Sequence, residues 1–92
     1  MSTIYKFNVY QDPGHGWVKV PAFLLHQLGV ANDVSRYSYV HQGHVYLEED
    51  CDAPLVLNAL HRRGVRYTLN DNFHTNGRSR IRGYDNYRPE AI

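Results

Sequence analysis

Turn-forming segments recur at short intervals along this chain and limit the length of every element between them. They are residues 12–16, Gly29, residues 31–33, Gln42-Gly43, Gly64 and residues 70–77. Pro, Gly, Asn and Asp favour turns and helix ends because of their backbone preferences. The β-prone residues around the first segment predict one hairpin, over residues 4–10 and 17–20, and those around Gln42-Gly43 predict another, over residues 37–41 and 44–48.

Two of the remaining pieces carry apolar residues at helical spacing. One begins at Pro21 and stops at Gly29, and the other follows Asp52, a good N-cap residue, and stops at Gly64. Residues 65–69 then alternate between apolar and polar side chains, as a half-exposed strand does. The order ββα-ββα-β predicts an α+β fold, in which a small antiparallel sheet of about five strands carries two short helices on one face.

The length of the chain predicts a single domain over residues 1–92. Residues 88–92 are predicted to be a frayed tail, and the segment around Ile81 to be irregular or strand-like. A core of this size buries only a modest share of the unfolded surface. We therefore expect a homodimer or a higher homo-oligomer.

The chain carries no signal for secretion or membrane insertion. Cys51 is the only cysteine, so no internal disulfide can form, and residues 1–10 lack the basic and apolar regions of a leader peptide. No apolar run approaches the length of about 18 residues that a membrane span needs. We expect a soluble cytoplasmic protein, with Cys51 as a small buried residue before the second helix.

Charge is distributed unevenly between the two parts of the chain. Residues 1–61 hold three basic and six acidic side chains, whereas residues 62–92 hold seven arginines and three acidic side chains. The net charge of +1 therefore hides a negative part and a positive part. Local fields of this kind steer charged partners. A general nucleic-acid binder is usually more basic overall, so the pattern favours an anionic ligand or an acidic protein surface.

The C-terminal arginines are interleaved with aromatic side chains. The ligand-binding candidates in this segment are His74, Arg78, Arg80, Arg82, Tyr84 and Tyr87, with Phe73 and Arg88 beside them. Guanidinium groups bind phosphate or carboxylate oxygens in pairs, and aromatic rings stack on bases. An extended strand over residues 78–82 would place three arginines on one face, where they repel one another unless an anion binds among them. The alternative is a charged edge strand that prevents aggregation.

The segment Asp12-Pro13-Gly14-His15-Gly16-Trp17 is the most unusual local sequence. Glycines allow the backbone to approach a ligand closely. His15 and Trp17 can then supply a proton donor and a stacking surface, so we add both to the ligand-binding candidates. The alternative is a tight hairpin turn in which Trp17 anchors the core.

The sequence predicts no catalytic residue, no cofactor and no metal site. The six histidines lack the spacing of zinc motifs, and Cys51 stands among acidic residues that raise the pKa of a thiol. Residues 48–50 with Asp52 could serve acid/base chemistry, bind a cation or contact the basic part of a second copy. A solvated strand end followed by an N-cap explains them equally well.

Three stretches, YQDPGHGWVKVP, VYLEEDCDAPL and RSRIRGYDNY, resemble a family of short proteins encoded by tailed bacteriophages and prophages. The resemblance covers nearly the whole chain and implies a phage context, in the cytoplasm of the host cell. Small phage proteins often disable a host factor or sequester a nucleotide signal of host immunity. Residues 17–50 are also similar in layout to swapped-hairpin domains of the AbrB and MazE type, which implies a dimeric DNA-binding regulator.

Three functional hypotheses follow. The first is a non-enzymatic binder whose Arg and aromatic surface holds a phosphorylated nucleotide or an acidic host protein, and so inhibits a host or defence process. The second is the swapped-hairpin regulator, for which nucleic acid is the partner and affinity falls steeply with salt. The third is a small phosphodiester-processing enzyme, with His15 or His74 as acid/base. The first is favoured because the sequence lacks a recognisable nucleophile or catalytic pair.

Overall fold

A computed structural model describes residues 4–92, in which two helices pack on a single sheet. The elements are β1 (Ile4–Gln11), β2 (Gly16–Pro21), α1 (Ala22–Gln27), β3 (Tyr39–His41), β4 (His44–Glu48), α2 (Ala53–Arg62), β5 (Arg66–His74) and β6 (Asp85–Asn86), with 3₁₀ helices at Arg80–Gly83 and Pro89–Ala91. The predicted α+β fold and its ββα-ββα-β order are confirmed. The short strand β6 raises the number of strands to six, against about five expected.

The sheet has the order β5-β1-β2-β4-β3-β6, and every neighbouring pair is antiparallel except β1 and β5. The prediction of a purely antiparallel sheet is therefore wrong for this pair. Helix α2 carries the chain back across the sheet after β4, so that β5 starts at the same end as β1 and runs in the same direction. The pairing continues through a register shift between Asn8 and Tyr10 and places Tyr10 opposite Phe73.

Both predicted hairpins are present. The geometry of each turn explains which residues occupy it. In the first turn, the carboxylate of Asp12 accepts hydrogen bonds from the N–H groups of Gly14 and His15, each at 3.0 Å. In the second turn, Gln42 and Gly43 have φ angles of 49° and 78°. Two successive residues with positive φ are typical of a two-residue hairpin turn, which is why glycine is favoured there.

One face of the sheet is covered by α1 and α2 and holds an aliphatic core. The buried residues of this core include Phe7, Val18, Val20, Val45 and Leu47 from the strands and Leu24, Leu25, Val56 and Leu60 from the helices. The strand residues recur at alternate positions because successive side chains point to opposite faces of a sheet. Within residues 4–92, no helix has the length and apolar character needed to cross a membrane.

Asp52 occupies the predicted N-cap position of α2, but its carboxylate does not cap the helix. The residue is 2% exposed. Its carboxylate accepts hydrogen bonds from the N–H and hydroxyl groups of Ser35 and from the hydroxyl of Ser38. Donors of this kind satisfy a buried carboxylate, so Asp52 fixes the loop before β3 against the start of α2.

The opposite face of the sheet holds a second, aromatic cluster. Trp17, Tyr46 and Ile81 are buried in it, and Tyr10, Tyr39 and Tyr84 pack around them. Trp17 and Tyr46 point to this face because they alternate with the aliphatic residues of β2 and β4. The cover of this face is the C-terminal segment, residues 78–84, rather than a helix. The two faces therefore differ in both composition and covering element.

Of the irregular or strand-like structure predicted around Ile81, the strand-like form is wrong. Arg80–Gly83 forms a 3₁₀ helix instead, and the Ser79 hydroxyl caps it by accepting a hydrogen bond from the Ile81 N–H at 3.2 Å. Ile81 is 3% exposed and packs into the aromatic cluster. Burial of this side chain favours a turn over an extended chain, so the arginines do not form a row on one face of a strand.

The last residues of the chain also contact the body of the protein. Tyr87 is 1% exposed, and its hydroxyl donates a hydrogen bond to the carbonyl oxygen of Ala31. Ile92 packs against the aliphatic core, and its carbonyl oxygen lies 3.1 Å from the Nε2 atom of His26. These contacts hold the chain after β6 beside α1 and the loop that follows it.

Candidate functional site

A groove of about 730 Å³ lies between the end of β5 and the C-terminal segment, on the aromatic face of the sheet. We call it the arginine groove. Its lining residues are Tyr10, Gln11, Tyr46, Asn72, Phe73, His74, Thr75, Arg78, Ser79, Arg80 and Ile81. Three of the predicted ligand-binding residues, His74, Arg78 and Arg80, therefore share one concave surface.

Aromatic rings form one wall of the arginine groove. The ring centroids of Tyr10 and Phe73 are 4.8 Å apart, and those of Tyr10 and Tyr46 are 6.1 Å apart. Phe73 is 39% exposed, so its ring offers a free surface for stacking. Burial, together with the neighbouring phenols of Tyr84 and Tyr10, raises the pKa of Tyr46 to about 12. The Tyr46 hydroxyl is consequently neutral at physiological pH.

The two arginines of the groove are exposed and have no internal partner. Among residues 4–92, neither Arg78 nor Arg80 forms a salt bridge or a side-chain hydrogen bond. Their five N–H donors each remain available to an external anion. The side chain of His74, at the end of β5, is exposed beside them.

Arg82 differs from these two because it is neutralised within the protein. Its Nε and Nη2 atoms donate to the two carboxylate oxygens of Asp12 at 2.6 and 2.8 Å. The Arg82 guanidinium holds the pKa of Asp12 well below its usual range, against the opposing effect of burial. Asp12 also accepts a hydrogen bond from the Ser79 N–H at 3.0 Å. The pair thus ties the C-terminal segment to the first hairpin.

The Asp12 and Arg82 pair also explains a glycine of the first turn. A Cβ atom on Gly14 would lie 2.9 Å from Nη2 of Arg82, closer than real Cβ contacts. The Arg82 guanidinium further lies over the ring of Trp17, 5.3 Å from its centroid. Arg82 is therefore packed as well as paired, and we leave it out of the arginine groove.

The two C-terminal tyrosines lie away from the groove. Tyr84 stacks on His41, with ring centroids 3.9 Å apart and planes 4° apart, and its other neighbour is Tyr46. Tyr87 is buried against the aliphatic core. Stacking between side chains of the protein itself therefore accounts for Tyr84, and core packing accounts for Tyr87.

His15 and Trp17 line a second cavity, of about 280 Å³, which we call the acidic cleft. Its other lining residues are Tyr37, Tyr39, Glu48, Asp50, Cys51 and Arg82. The structure thus divides the predicted ligand-binding residues between two cavities instead of joining them. Trp17 is 2% exposed, as the core-anchor alternative for the first turn predicts.

Glu48 shapes the turn that closes the acidic cleft. Its Oε2 atom accepts hydrogen bonds from the N–H groups of Asp50 and Cys51 at 3.0 and 2.8 Å, and its Oε1 atom lies 3.5 Å from Nδ1 of His15. Burial alone would raise the pKa of Glu48, but the hydrogen bonds and His15 outweigh burial and hold that pKa below its usual range. Glu48 is therefore an ionised carboxylate at neutral pH.

The same corner contains the one group within the described residues whose atoms are spaced to hold a metal ion. Ligand atoms of His15, Glu48 and Glu49 all lie within 4.8 Å of one another. The histidine comes from the first turn and the glutamates from the end of β4. No sequence motif for metal binding has ligands so far apart along the chain. By distance alone the trio can coordinate a cation, although Glu48 already serves the turn.

The prediction that Cys51 is buried is wrong, because the side chain is exposed. In the turn before α2 it is the adjacent Asp52 that points inward. The prediction of a suppressed thiolate agrees with the structure: a hydrogen bond to Glu48, then a partial loss of hydration and the nearby acidic groups, raise the pKa of the Cys51 thiol. This thiol is a poor nucleophile at neutral pH.

Tyr10, Tyr46 and Asn72 are groove residues that the sequence did not single out. The continuous apolar run Val45-Tyr46-Leu47 is a signal that could have found Tyr46, because a strand buried on both faces lacks alternation.

Searches against protein-family models, curated proteins and solved structures found no match to this chain. The resemblances to phage proteins and to swapped-hairpin domains therefore stay predictions.

Proposed function

We propose that this protein is a non-enzymatic binder that holds a phosphorylated nucleotide in the arginine groove. The observation that carries the proposal is the contrast among the arginines: Arg82 is paired with Asp12, whereas Arg78 and Arg80 have no internal partner within residues 4–92. Two unpaired guanidinium groups on one concave surface repel each other. A phosphate group between them removes this repulsion and accepts hydrogen bonds from both.

The rest of the groove supports the same class of ligand. Phe73 offers an exposed ring next to Tyr10, and stacking of a base on an aromatic ring contributes about 1–3 kcal/mol. The Ser79 hydroxyl and the His74 ring add hydrogen-bonding groups near the arginines. The volume of about 730 Å³ lies within the range of about 300–1,000 Å³ that is usual for small-molecule sites.

Binding of a mononucleotide or a short oligonucleotide fits the charges better than binding along a duplex. A protein that tracks duplex DNA neutralises several phosphates, whereas this groove presents two free arginines. The acidic residues of the second cleft lie on the same side of the sheet as the groove and repel a long polyanion. We further propose, from the resemblance to small phage proteins, that capture of the nucleotide removes a signal on which host defence depends.

Isothermal titration calorimetry with linear and cyclic nucleotides tests the proposal. In the double variant Arg78→Gln/Arg80→Gln, we expect affinity to fall roughly tenfold for each arginine, since a charged hydrogen bond contributes about 1.5–3 kcal/mol. The matched control is Arg36→Gln/Arg62→Gln, which changes the net charge equally at two exposed positions outside the groove. Equal loss in both variants would mean that only net charge matters, and no binding by the wild-type protein would refute the proposal.

Analysis of the protein purified from its host separates the other hypotheses. A co-purified nucleotide supports sequestration, and a co-purified acidic protein supports direct inhibition of a host factor. Hydrolysis of an added nucleotide or phosphodiester would instead indicate an enzyme. Affinity for duplex DNA with a steep salt dependence would indicate the regulator.

We also propose that the protein forms a homodimer through β5. This strand lies at one edge of the sheet, spans nine residues and is exposed at all of them except Tyr67, which is partly buried. The opposite edge, β6, has only two residues. Long unpaired edges that carry apolar side chains, here Leu69 at 46% exposure, readily pair with another strand. Light scattering after gel filtration should show a dimer that Leu69→Lys converts to a monomer and that Phe23→Lys, at an exposed position on α1, does not.

A further inference from the structure

We propose that the acidic cleft is a second binding site, which takes the cationic side chain of a basic amino acid together with a neighbouring carbonyl oxygen. The cleft is defined by the residues given above, from His15 and Trp17 in the first hairpin to Cys51 before α2. It shares no lining residue with the arginine groove. The proposal is therefore independent of the proposed function.

The acidic groups of the cleft lack a cation of matching strength. The Glu48 side chain is 9% exposed, and its one ion-pair partner among the described residues is His15, whose Nδ1 atom lies 3.5 Å from Oε1. Asp50 lines the cleft as well and is exposed to solvent. The one arginine in the lining is Arg82, and the Asp12 carboxylate already neutralises it. The cleft consequently keeps a net negative charge that a guanidinium or ammonium group can neutralise.

Aromatic rings form the walls of the cleft. The ring centroids of Trp17 and Tyr39 are 6.3 Å apart, at an angle of 66°. Tyr37, at the rim, is 67% exposed, which is unusual for so large a ring with no described packing partner. Arg82 already lies over the ring of Trp17, 5.3 Å from its centroid, so Tyr37 and Tyr39 are the rings left for an organic cation. Such cations bind beside aromatic rings because the ring faces carry negative charge density.

The indole of Trp17 supplies an independent observation. Its Nε1 atom is buried, and among the described residues it is the one buried side-chain nitrogen or oxygen with no hydrogen-bond partner. An unsatisfied buried donor costs about 1–3 kcal/mol. Trp17 lines the cleft, but its Nε1 atom is closed off from solvent in the free protein. We infer that a small shift of the side chains around it on binding lets a ligand oxygen accept this hydrogen bond, so the ligand carries an acceptor as well as a cation. An arginine or lysine residue with its carbonyl group, free or within a peptide, has both.

The volume of the cleft sets the size of the ligand. About 280 Å³ is close to the lower end of the range of about 300–1,000 Å³ for small-molecule sites. One amino-acid side chain with its carbonyl group fits in such a space, whereas a nucleotide is too large for it. The two cavities therefore select ligands of opposite charge and different size.

Fluorescence of Trp17 gives a direct test, because it is the only tryptophan of the chain and lines the cleft. Nα-acetyl-arginine amide should change this fluorescence in a saturable way. Nα-acetyl-citrulline amide has the same shape but a neutral urea group, and it should bind at least tenfold more weakly. The corresponding lysine derivative and a short Arg-containing peptide then distinguish a free amino acid from a peptide as the source of the cation.

Two variants at exposed residues test which side chains of the cleft bind the ligand. Neither variant changes Glu48, which holds the turn. Asp50→Asn and Tyr37→Ala should each weaken binding of the arginine compound several-fold, while Asp33→Asn, an equal charge change at an exposed position outside the cleft, should leave it unchanged. Equal binding of the arginine and citrulline compounds, or no effect of Asp50→Asn, would overturn the proposal. Absence of any fluorescence change and of any heat in calorimetry would also overturn it.

The same titration separates this proposal from the proposed function. Arg78→Gln/Arg80→Gln should weaken nucleotide binding by the roughly tenfold for each arginine that is expected above and leave the response of Trp17 to the arginine compound intact. If only nucleotide binding fails, the proposed function of the arginine groove is wrong. If only the Trp17 response fails, the proposed site in the acidic cleft is wrong.

Discussion

The two faces of the sheet are built from alternate residues of the same strands, yet they differ in composition and in the element that covers them. The helix-covered face is aliphatic and closely packed around Val20, Val45 and Leu47, each 0% exposed. The face covered by the C-terminal segment is aromatic, and both cavities with candidate sites lie along it.

The covering elements differ in the same way. Helices α1 and α2 bring several apolar side chains each to the aliphatic core, whereas the C-terminal segment buries mainly Ile81 and is held by the Asp12 and Arg82 pair. The comparison leads us to expect that stability comes chiefly from the helix-covered face and that the binding proposed above uses the other face. Four variants, taken from the largest expected effect to the smallest, test this division.

Leu47→Ala should have the largest effect on stability. The side chain is fully buried in the aliphatic core, and Leu→Ala changes in cores cost about 2–5 kcal/mol. We expect urea denaturation followed by circular dichroism to show this loss. Phe23→Ala, at a helix position that is 53% exposed, is the control and should have little effect. A small effect of Leu47→Ala would show that the aliphatic face is not the main source of stability.

Asp12→Asn should destabilise the protein less than Leu47→Ala and mainly at the C-terminal segment. The variant removes the ion pair with Arg82 and weakens the acceptor of three backbone N–H groups. Hydrogen exchange should become faster at residues 78–84, while amides of α2 keep their protection. Uniform loss of protection would mean that the two faces unfold together.

The effect of Asp12→Asn should also depend on pH. Because the pKa of Asp12 is lowered in the folded protein, its contribution to stability is fully present above the unfolded value of about 3.9. This contribution falls as the pH drops below that value. The stability difference between wild type and variant should therefore be constant near neutral pH and shrink in acid. A difference that grows in acid would contradict the assigned ion pair.

Tyr87→Phe should cost about 1 kcal/mol, the usual contribution of one neutral hydrogen bond. The ring stays in the aliphatic core, but the carbonyl oxygen of Ala31 loses its donor. Tyr37→Phe, at an exposed position, is the matched control and should not change the free energy of unfolding. Equal free energies of unfolding for the two variants would show that the Tyr87 hydroxyl does not stabilise the fold.

Arg78→Gln/Arg80→Gln should have the smallest effect on stability, within about 0.5 kcal/mol, as for other exposed positions without partners. Arg82→Gln should lower the melting temperature clearly, because it breaks the pair with Asp12. Thermal unfolding of the two proteins side by side measures the difference. A fall in melting temperature for the double variant would indicate a structural role for the groove arginines.

Local sequence patterns were sufficient to predict most of the fold. Gln42-Gly43 and residues 12–16 fixed the two hairpins, and the helices end close to Gly29 and Gly64 as expected. Each of these features depends on backbone preferences within a few residues. The direction of β5 depends instead on the end of the sheet to which α2 returns the chain. This is a tertiary feature, so the sequence did not predict that β1 and β5 are parallel.

The candidate site was predicted in part. His74, Arg78 and Arg80 lie together in the arginine groove, but the pairing of Arg82 joins positions 70 residues apart in the sequence. Alternation of arginines over residues 78–82 would place three guanidinium groups on one face of a strand, but Ile81 is buried and Arg80–Gly83 forms a 3₁₀ helix. Contacts between distant segments of the chain have no local signature, so the sequence could not show which arginines remain free.

The sequence by itself determined the elements of this protein, because turn chemistry and apolar periodicity act over short distances. It also determined the opposite charges of the two parts of the chain. Tertiary structure alone decided which of those charges cancel: Asp12 neutralises Arg82, while Arg78, Arg80 and Glu48 are left facing cavities. The reason is geometric, since two charges neutralise each other only when the fold brings their atoms within a few ångströms.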